Sequence, residues 1–112
     1  MTPQLHRTSK QSRAIKFELT QSKKTIGRVY LYVIKNDLHK QPYGFVEDLF
    51  VDEIMRAKGL GKMLLNACIV EAKKRRLYKV VVTSRMARAK VHGFYKSQGF
   101  KKYGWEFRLD LG

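Results

Sequence analysis

The sequence predicts an α/β domain, an α+β mixed sheet with helices packed on it. Three patterns point there. Apolar residues alternate at period two in three segments before residue 52. They recur at helical spacing between Gly59 and Arg76. Three consecutive valines, Val80–Val82, then follow as a strand covered on both faces would. The predicted order is strand, strand, strand, helix, strand, helix, strand, with Gly44–Thr83 as a parallel, right-handed crossover.

Residues 1–13 carry no periodicity and read as a flexible basic arm, leaving 14–112 as the folded domain. In the first strand Ile15, Phe17 and Leu19 share a face while Lys16 and Glu18 take the other. Ser22-Lys23-Lys24-Thr25 is a turn, and the return strand places Val29, Leu31 and Val33 on one side against Arg28, Tyr30 and Tyr32. This is the pattern of an antiparallel hairpin. Asn36–Tyr43 reads as a loop. Strict alternation in Gly44–Asp52 groups Phe45, Glu47, Leu49 and Val51 on one side, with Val46, Asp48 and Phe50 on the other. Two adjacent carboxylates inside an apolar strand are unusual. The helix Gly59–Arg76 presents Leu60, Met63, Leu64, Ala67 and Cys68 as its apolar stripe and ends in Lys73-Lys74-Arg75-Arg76, cations suited to the negative end of its dipole. A second helix spans Met86–Ser97 and stops near Gly99. A last strand has Trp105, Phe107, Leu109 and Leu111 alternating with Glu106, Arg108 and Asp110.

Composition narrows the classes of function. A chain of 112 residues, 44% of them hydrophobic, fits one domain with a real core. Lys and Arg number 24 against 9 acidic residues, for a net charge of +15. Polyanions and phosphate-rich ligands are therefore attracted. A single cysteine, Cys68, excludes an intrachain disulfide framework, and no Cys/His cluster suggests a metal site. Apolar runs fall far short of the roughly 20 residues that span a bilayer. The polar, basic N-terminus is no secretory signal, so no membrane partner is expected and the location is expected to be cytoplasmic.

The informative segment is Arg56-Ala57-Lys58-Gly59-Leu60-Gly61, between a strand and a helix. Two glycines let the backbone turn tightly and approach a ligand. The helix that follows opens with amides lacking internal partners, which suits a pyrophosphate. Arg56, Lys58 and Lys62 add positive charge at the same place. The pattern is no P-loop, since Met63 follows Lys62. Nor is it a Rossmann fingerprint, since Leu64 stands where the third glycine belongs.

These residues resemble the GNAT superfamily of N-acetyltransferases, whose pyrophosphate loop is Arg/Gln-x-x-Gly-x-Gly/Ala. Val46-Glu47-Asp48-Leu49-Phe50-Val51 looks like the family's central strand, and Phe94-Tyr95-Lys96-Ser97-Gln98-Gly99-Phe100 like its late signature. The resemblance covers about residues 14–111. It implies an acyl-CoA N-acyltransferase (GNAT-like) fold, N-terminally abbreviated. Family members usually begin with another strand and two helices that wall the acceptor groove, whereas about 13 residues precede the first recognised strand here.

The resemblance further implies acetyl transfer from acetyl-CoA to a primary amine, on a protein or peptide if the groove is open. Tyr95 takes the place of the family's general acid. Glu47, nine residues before Arg56, takes that of a base acting through water. The cofactor is expected along Leu49, Phe50 and Val51, at Arg56, Ala57, Lys58, Gly59, Leu60, Gly61 and Lys62, and near Arg88, which replaces a common Asn seven residues before Tyr95. Two other functions fit: a catalytically silent acetyl-CoA-binding regulator, and a basic nucleic-acid-binding protein, although no helix-turn-helix, RNP or zinc-finger pattern is present. Non-specific nucleic-acid binding at low salt is expected in any case. A homodimer, in which a partner subunit completes the groove, is also compatible.

Overall fold

A computed structural model describes residues 2–112. Residues 2–12 have no secondary structure and are exposed. The first hairpin pairs β1 (Arg13–Gln21) with β2 (Lys24–Ile34) in an antiparallel register from Arg13↔Val33 to Gln21↔Lys24. Ser22 and Lys23 close it with φ of 51° and 63°. A two-residue turn with both φ positive matches the right-handed twist of the strands it joins. β3 (Tyr43–Val51) runs antiparallel to β2, and β4 (Val80–Val82) runs parallel to β3, giving the order β1-β2-β3-β4. Between β3 and β4 lie a short 3₁₀ turn, Glu53–Met55, and helix α1 (Leu60–Lys74). Helix α2 (Ala89–Ser97) follows β4. No helix among the described residues is long and apolar enough to cross a membrane.

One sheet face holds the core. Val29 and Leu31 of β2, Val46 and Val51 of β3, and Leu64, Leu65 and Cys68 of α1 form a single buried cluster. Burial pushes the Cys68 thiol up to about 11, so it stays protonated and packs as a small apolar group. The stripe of α1 is turned from its predicted position: Leu65 is fully buried and Met63 is exposed. Leu64, Leu65, Cys68 and Ala72 face the sheet, a narrower band than the periodicity alone selects. The helix ends where Arg76 takes φ of 57° and the Leu77 amide donates to Ala72 O at 3.0 Å, a left-handed cap without glycine.

Strict alternation fails in β3. Tyr30 pairs with Glu47 but Arg28 pairs with Phe50, so Asp48 and Leu49 stand together opposite Val29. Asp48 has φ of 58°. This is a β-bulge, and it inverts the sidedness of everything after it. Val46 and Val51, an odd number of residues apart, therefore both reach the core. The predicted grouping of Phe45 and Glu47 with Leu49 and Val51 is thus wrong: the first two lie across the sheet from the second two.

The last predicted strand is absent. Residues 100–112 have no secondary structure, and Trp105, Phe107, Leu109 and Leu111 are exposed. Alternation gives a segment the capacity to be a strand; hydrogen-bonded neighbours make it one, and this segment meets none in its own chain. α2 is also shorter than predicted. Its first turn is replaced by a tight turn in which the Arg88 amide donates to Arg85 O at 3.1 Å.

The sheet face away from α1 is uncovered. Tyr30 and Tyr32 stack there with ring centroids 5.9 Å apart, and Lys16 lies 5.6 Å from the Tyr30 ring. Across the sheet, Gly44 marks the tightest packing, where an added Cβ would stand 2.9 Å from Leu31 Cδ1 and 3.1 Å from Leu77 Cδ1. Leu31 is fully buried and has no room to give. Gly44→Ala is expected to destabilise the fold by about 1–3 kcal/mol, and Leu65→Ala by about 2–5 kcal/mol. Urea melts at equal protein concentration check both; losses below about 0.5 kcal/mol would contradict the packing described.

Candidate active site

β3 and β4 pair only from Gly44↔Val80 to Val46↔Val82. Beyond that point β3 continues through its bulge to Val51, while the chain after β4 turns away through Thr83, Ser84 and Arg85 towards α2. The parting opens a cleft of roughly 1060 Å³. One wall is Leu49 and Val51 of β3, the floor is the loop Arg56–Lys62, and the far wall is Arg88, Phe94 and Tyr95 of the α2 region.

The loop takes its shape from two left-handed residues. Ala57 has φ of 64° and Gly59 has φ of 77°. Glycine adopts this conformation freely, whereas alanine is strained in it. α1 begins directly after Gly59, and its first helical bond runs from the Met63 amide to Gly59 O at 3.1 Å. The amides of Leu60, Gly61 and Lys62 come before that bond and have no backbone partner. They point along the positive end of the helix dipole, the arrangement that favours a bound anion. A Cβ at Gly61 would meet nothing nearer than Phe94 Cζ at 4.0 Å, so α2 lies beside the start of α1 without crowding it.

Arg56 is tied to the strand before it. Its Nε donates to Val51 O at 2.9 Å, and its guanidinium lies 5.4 Å from the Phe50 ring. The loop is thereby anchored to the end of β3. The Val51 carbonyl accepts this bond, and the β3 edge from Glu47 on lies beyond the last β3–β4 pair.

Tyr95 projects into the cleft, half-buried, with its ring tilted against Phe94 at 5.5 Å and edge-on to Phe100 at 5.8 Å. Burial pushes its hydroxyl above the ordinary value near 10, with a smaller opposing pull from Arg88. At neutral pH it is a protonated phenol, able to donate.

Most of the expected residues meet in this cleft: Leu49, Val51, Arg56, Ala57, Gly59, Leu60, Gly61, Lys62, Arg88 and Tyr95 all border it. Phe50, Lys58 and Glu47 do not. Phe50 faces away because of the bulge and carries Arg28 at 4.7 Å from its ring. Glu47 is exposed, on the sheet face away from α1, one residue past the last β3–β4 pair. The carboxylate that the bulge turns to the cleft is Asp48, and Arg28 holds it in a bidentate pair, Nε to Oδ2 at 2.7 Å and Nη2 to Oδ1 at 3.2 Å. That hydrogen-bonded pairing keeps the Asp48 carboxyl below its ordinary value and outweighs a small opposing effect of burial.

Sequence reasoning missed Arg85, Lys90, Glu106 and Arg108, which also border the cleft. Arg85 and Lys90 sit in a loop and helix start already rich in cations, a signal that could have been read. Glu106 and Arg108 carry no such signal, because their segment has the pattern of a paired strand. The lining cations Arg56, Lys62, Arg85, Arg88, Lys90 and Arg108 face only two carboxylates, Asp48 and Glu106. The cleft is strongly electropositive.

The acetyltransferase (GNAT) family model matches residues 4–100 of this chain. Among solved structures, a protein from Agrobacterium tumefaciens str. C58 assigned as an acetyltransferase superposes with a TM-score of 0.82 at 26% identity, covering 88% of this chain and 69% of its own. An acetyltransferase of Trypanosoma brucei gives 0.79 at 27% identity, with 88% and 69% covered. Glucosamine-6-phosphate N-acetyltransferase from Arabidopsis thaliana gives 0.81 at 20% identity, with 88% and 67% covered, a likeness of fold alone. The chain thus spans about two thirds of the length of each. No curated protein sequence matches it.

The Arg28–Asp48 pair yields a test of the bulge. A carboxyl with a depressed folded pKa contributes stability above its unfolded value, and that contribution is lost as pH falls through the folded value. The stability difference between the wild type and Asp48→Asn is therefore expected to be small, constant above about pH 5, and to vanish in acid below the ordinary carboxylate range near 3.9. Urea melts from pH 2 to 7 check it; a difference that grows as pH falls would contradict the pairing.

Proposed function

Because this chain belongs to the acetyltransferase (GNAT) family, we propose that it moves an acetyl group from acetyl-CoA to a primary amine carried on a protein or peptide. The observation that carries the reading is the run of unpartnered amides at Leu60, Gly61 and Lys62, opening α1 at the floor of an electropositive cleft where two strands part. The diphosphate of acetyl-CoA has the charge and size for those donors. Arg85, Arg88 and Lys90 supply charge for its remaining phosphate. In this reading the free edge of β3 beside Leu49 lies along the path of the pantetheine arm, which delivers a thioester to the parting of the strands.

The two sheet faces divide the work. The cofactor loop, α1 and Tyr95 lie on the core side. Glu47 lies on the uncovered side, at the point where the strands separate. The acceptor enters from that open face, where a large chain has room. Glu47, through a water, takes the proton of the incoming ammonium, because only the neutral amine has the lone pair that attacks. The new N–C bond forms as the C–S bond breaks; the Tyr95 hydroxyl gives its proton to the departing sulfur, and the second proton, which the attacking nitrogen sheds on becoming an amide, returns to the Tyr95 oxygen. Its raised pKa keeps that proton in place across the physiological range. A supply of acetyl-CoA fits a cytoplasmic setting.

Acetyl-CoA is expected to raise the melting temperature, and thiol release with a panel of basic peptides to be saturable. Tyr95→Phe should keep the thermal shift and lower kcat about 10²-fold. In the wild type the basic limb of the kcat–pH profile should lie above pH 10 and should be missing from the variant. A thermal shift with no thiol release from any amine would make the protein a silent binder. No thermal shift at all would overturn the reading.

A further inference from the structure

The end of the molecule opposite the cleft gathers cations and rings. α1 opens at the cleft and runs 15 residues to Lys74, so its far end lies roughly 20 Å away. There Lys73-Lys74-Arg75-Arg76 leads through Leu77 to Tyr78 and Lys79, just before β4. The loop before β3 comes to the same place: the Tyr78 amide donates to Pro42 O at 3.1 Å, and the Gly44 amide to Lys79 O at 2.9 Å. Side chains meet there too. The His39 ring stands 4.2 Å from that of Tyr78, and the Tyr43 ring is edge-on to it at 6.2 Å. The Lys79 ammonium lies 5.1 Å from the Tyr43 ring and 5.3 Å from the Tyr78 ring. His39, Tyr78 and Lys79 are exposed. Lys35 fastens the loop by donating to the carbonyls of Asn36 and His39.

Charge at this end is one-sided. Arg75 pairs with Glu71 at 2.6 Å. In the segments 35–43 and 71–79 that leaves Lys35, Lys40, Lys73, Lys74, Arg76 and Lys79 against a single further carboxylate, Asp37. The negative end of one helix dipole, roughly half a charge, does not account for so many. We propose that this surface binds single-stranded nucleic acid, with bases stacked on Tyr78, His39 and Tyr43 and backbone phosphates held by the lysines and Arg76 around them. Cations alone take any polyanion. Exposed rings set among the cations select for what a single strand has and a duplex, an acidic peptide or a lipid headgroup lacks, which is base faces open to stacking. The proposal does not depend on acetyl transfer, because none of these residues borders the cleft.

Fluorescence anisotropy with labelled strands of about ten nucleotides tests it. The probes are oligo(U), oligo(dT), an abasic strand of the same length, a duplex of that length and polyaspartate. Both base-bearing single strands are expected to bind at least about tenfold more tightly than the other three, and the tighter of the two tells RNA from DNA. Tyr78→Ala and His39→Ala, each at an exposed ring, should weaken the single strands about tenfold. They should leave abasic binding and the circular dichroism unchanged, and Tyr78→Phe should keep full affinity. Lys73→Gln with Lys74→Gln should reduce the slope of log affinity against log salt by about 1.4. The largest amide shifts on binding should fall at 39–43 and 73–79. Equal binding of the abasic strand, the duplex or polyaspartate, ring variants that bind as the wild type does, or shifts largest at 56–62 would each overturn the assignment.

Discussion

The site depends on one local departure from strand geometry, the bulge at Asp48. Two residues of β3 stand opposite Val29, so β3 bends and its second half changes sides. Val51 is thereby returned to the core, where it anchors α1 against the sheet. The same bend takes β3 away from β4 just past Val46 and opens the cleft. Arg28 holds Asp48, and Arg56 holds the carbonyl of Val51, so the bulge is tied on both sides.

From this follows a division between a covered and an uncovered face. α1 packs on β1, β2 and β3 from one side, with Gly44 permitting the close fit of Leu31 and Leu77. The other side keeps its aromatic residues half in water, with Tyr30 and Tyr32 stacked and Lys16 and Arg28 set against rings. Charge is arranged to the same plan. Cations that line the cleft outnumber its carboxylates, and one of those two carboxylates is already spent on Arg28. Part of the net charge of +15 is therefore gathered at the cleft, and the rest lies elsewhere on the surface.

Much of this was legible in the residues. Period-two alternation located β1, β2 and the start of β3, because each has one buried face. The glycines at 59 and 61 located the loop; the chain needs the freedom of the first, which takes a left-handed conformation, while the second stands in the first turn of α1. Three things were hidden. The bulge leaves no mark on the alternation except the pair of carboxylates, Glu47 and Asp48, in an apolar strand. Leu65 and Met63 are both apolar, so only packing decides which turns inward. The segment Trp105–Leu111 has the pattern of a strand, and pattern cannot say whether a neighbour is there to receive it. Glu106 and Arg108 were lost to the site for that reason, and Glu47 was set on the wrong side relative to Leu49 and Val51 because the bulge was not foreseen.

In the proposed function, everything rests on the backbone opening α1 holding the diphosphate of acetyl-CoA. Titration of isotopically labelled protein with the cofactor, followed by amide resonances, tests it most directly. Saturable shifts are expected, largest at Gly59, Leu60, Gly61 and Lys62 and moving together with one binding curve. Saturation with those four amides unmoved, while others on the protein respond, would contradict it.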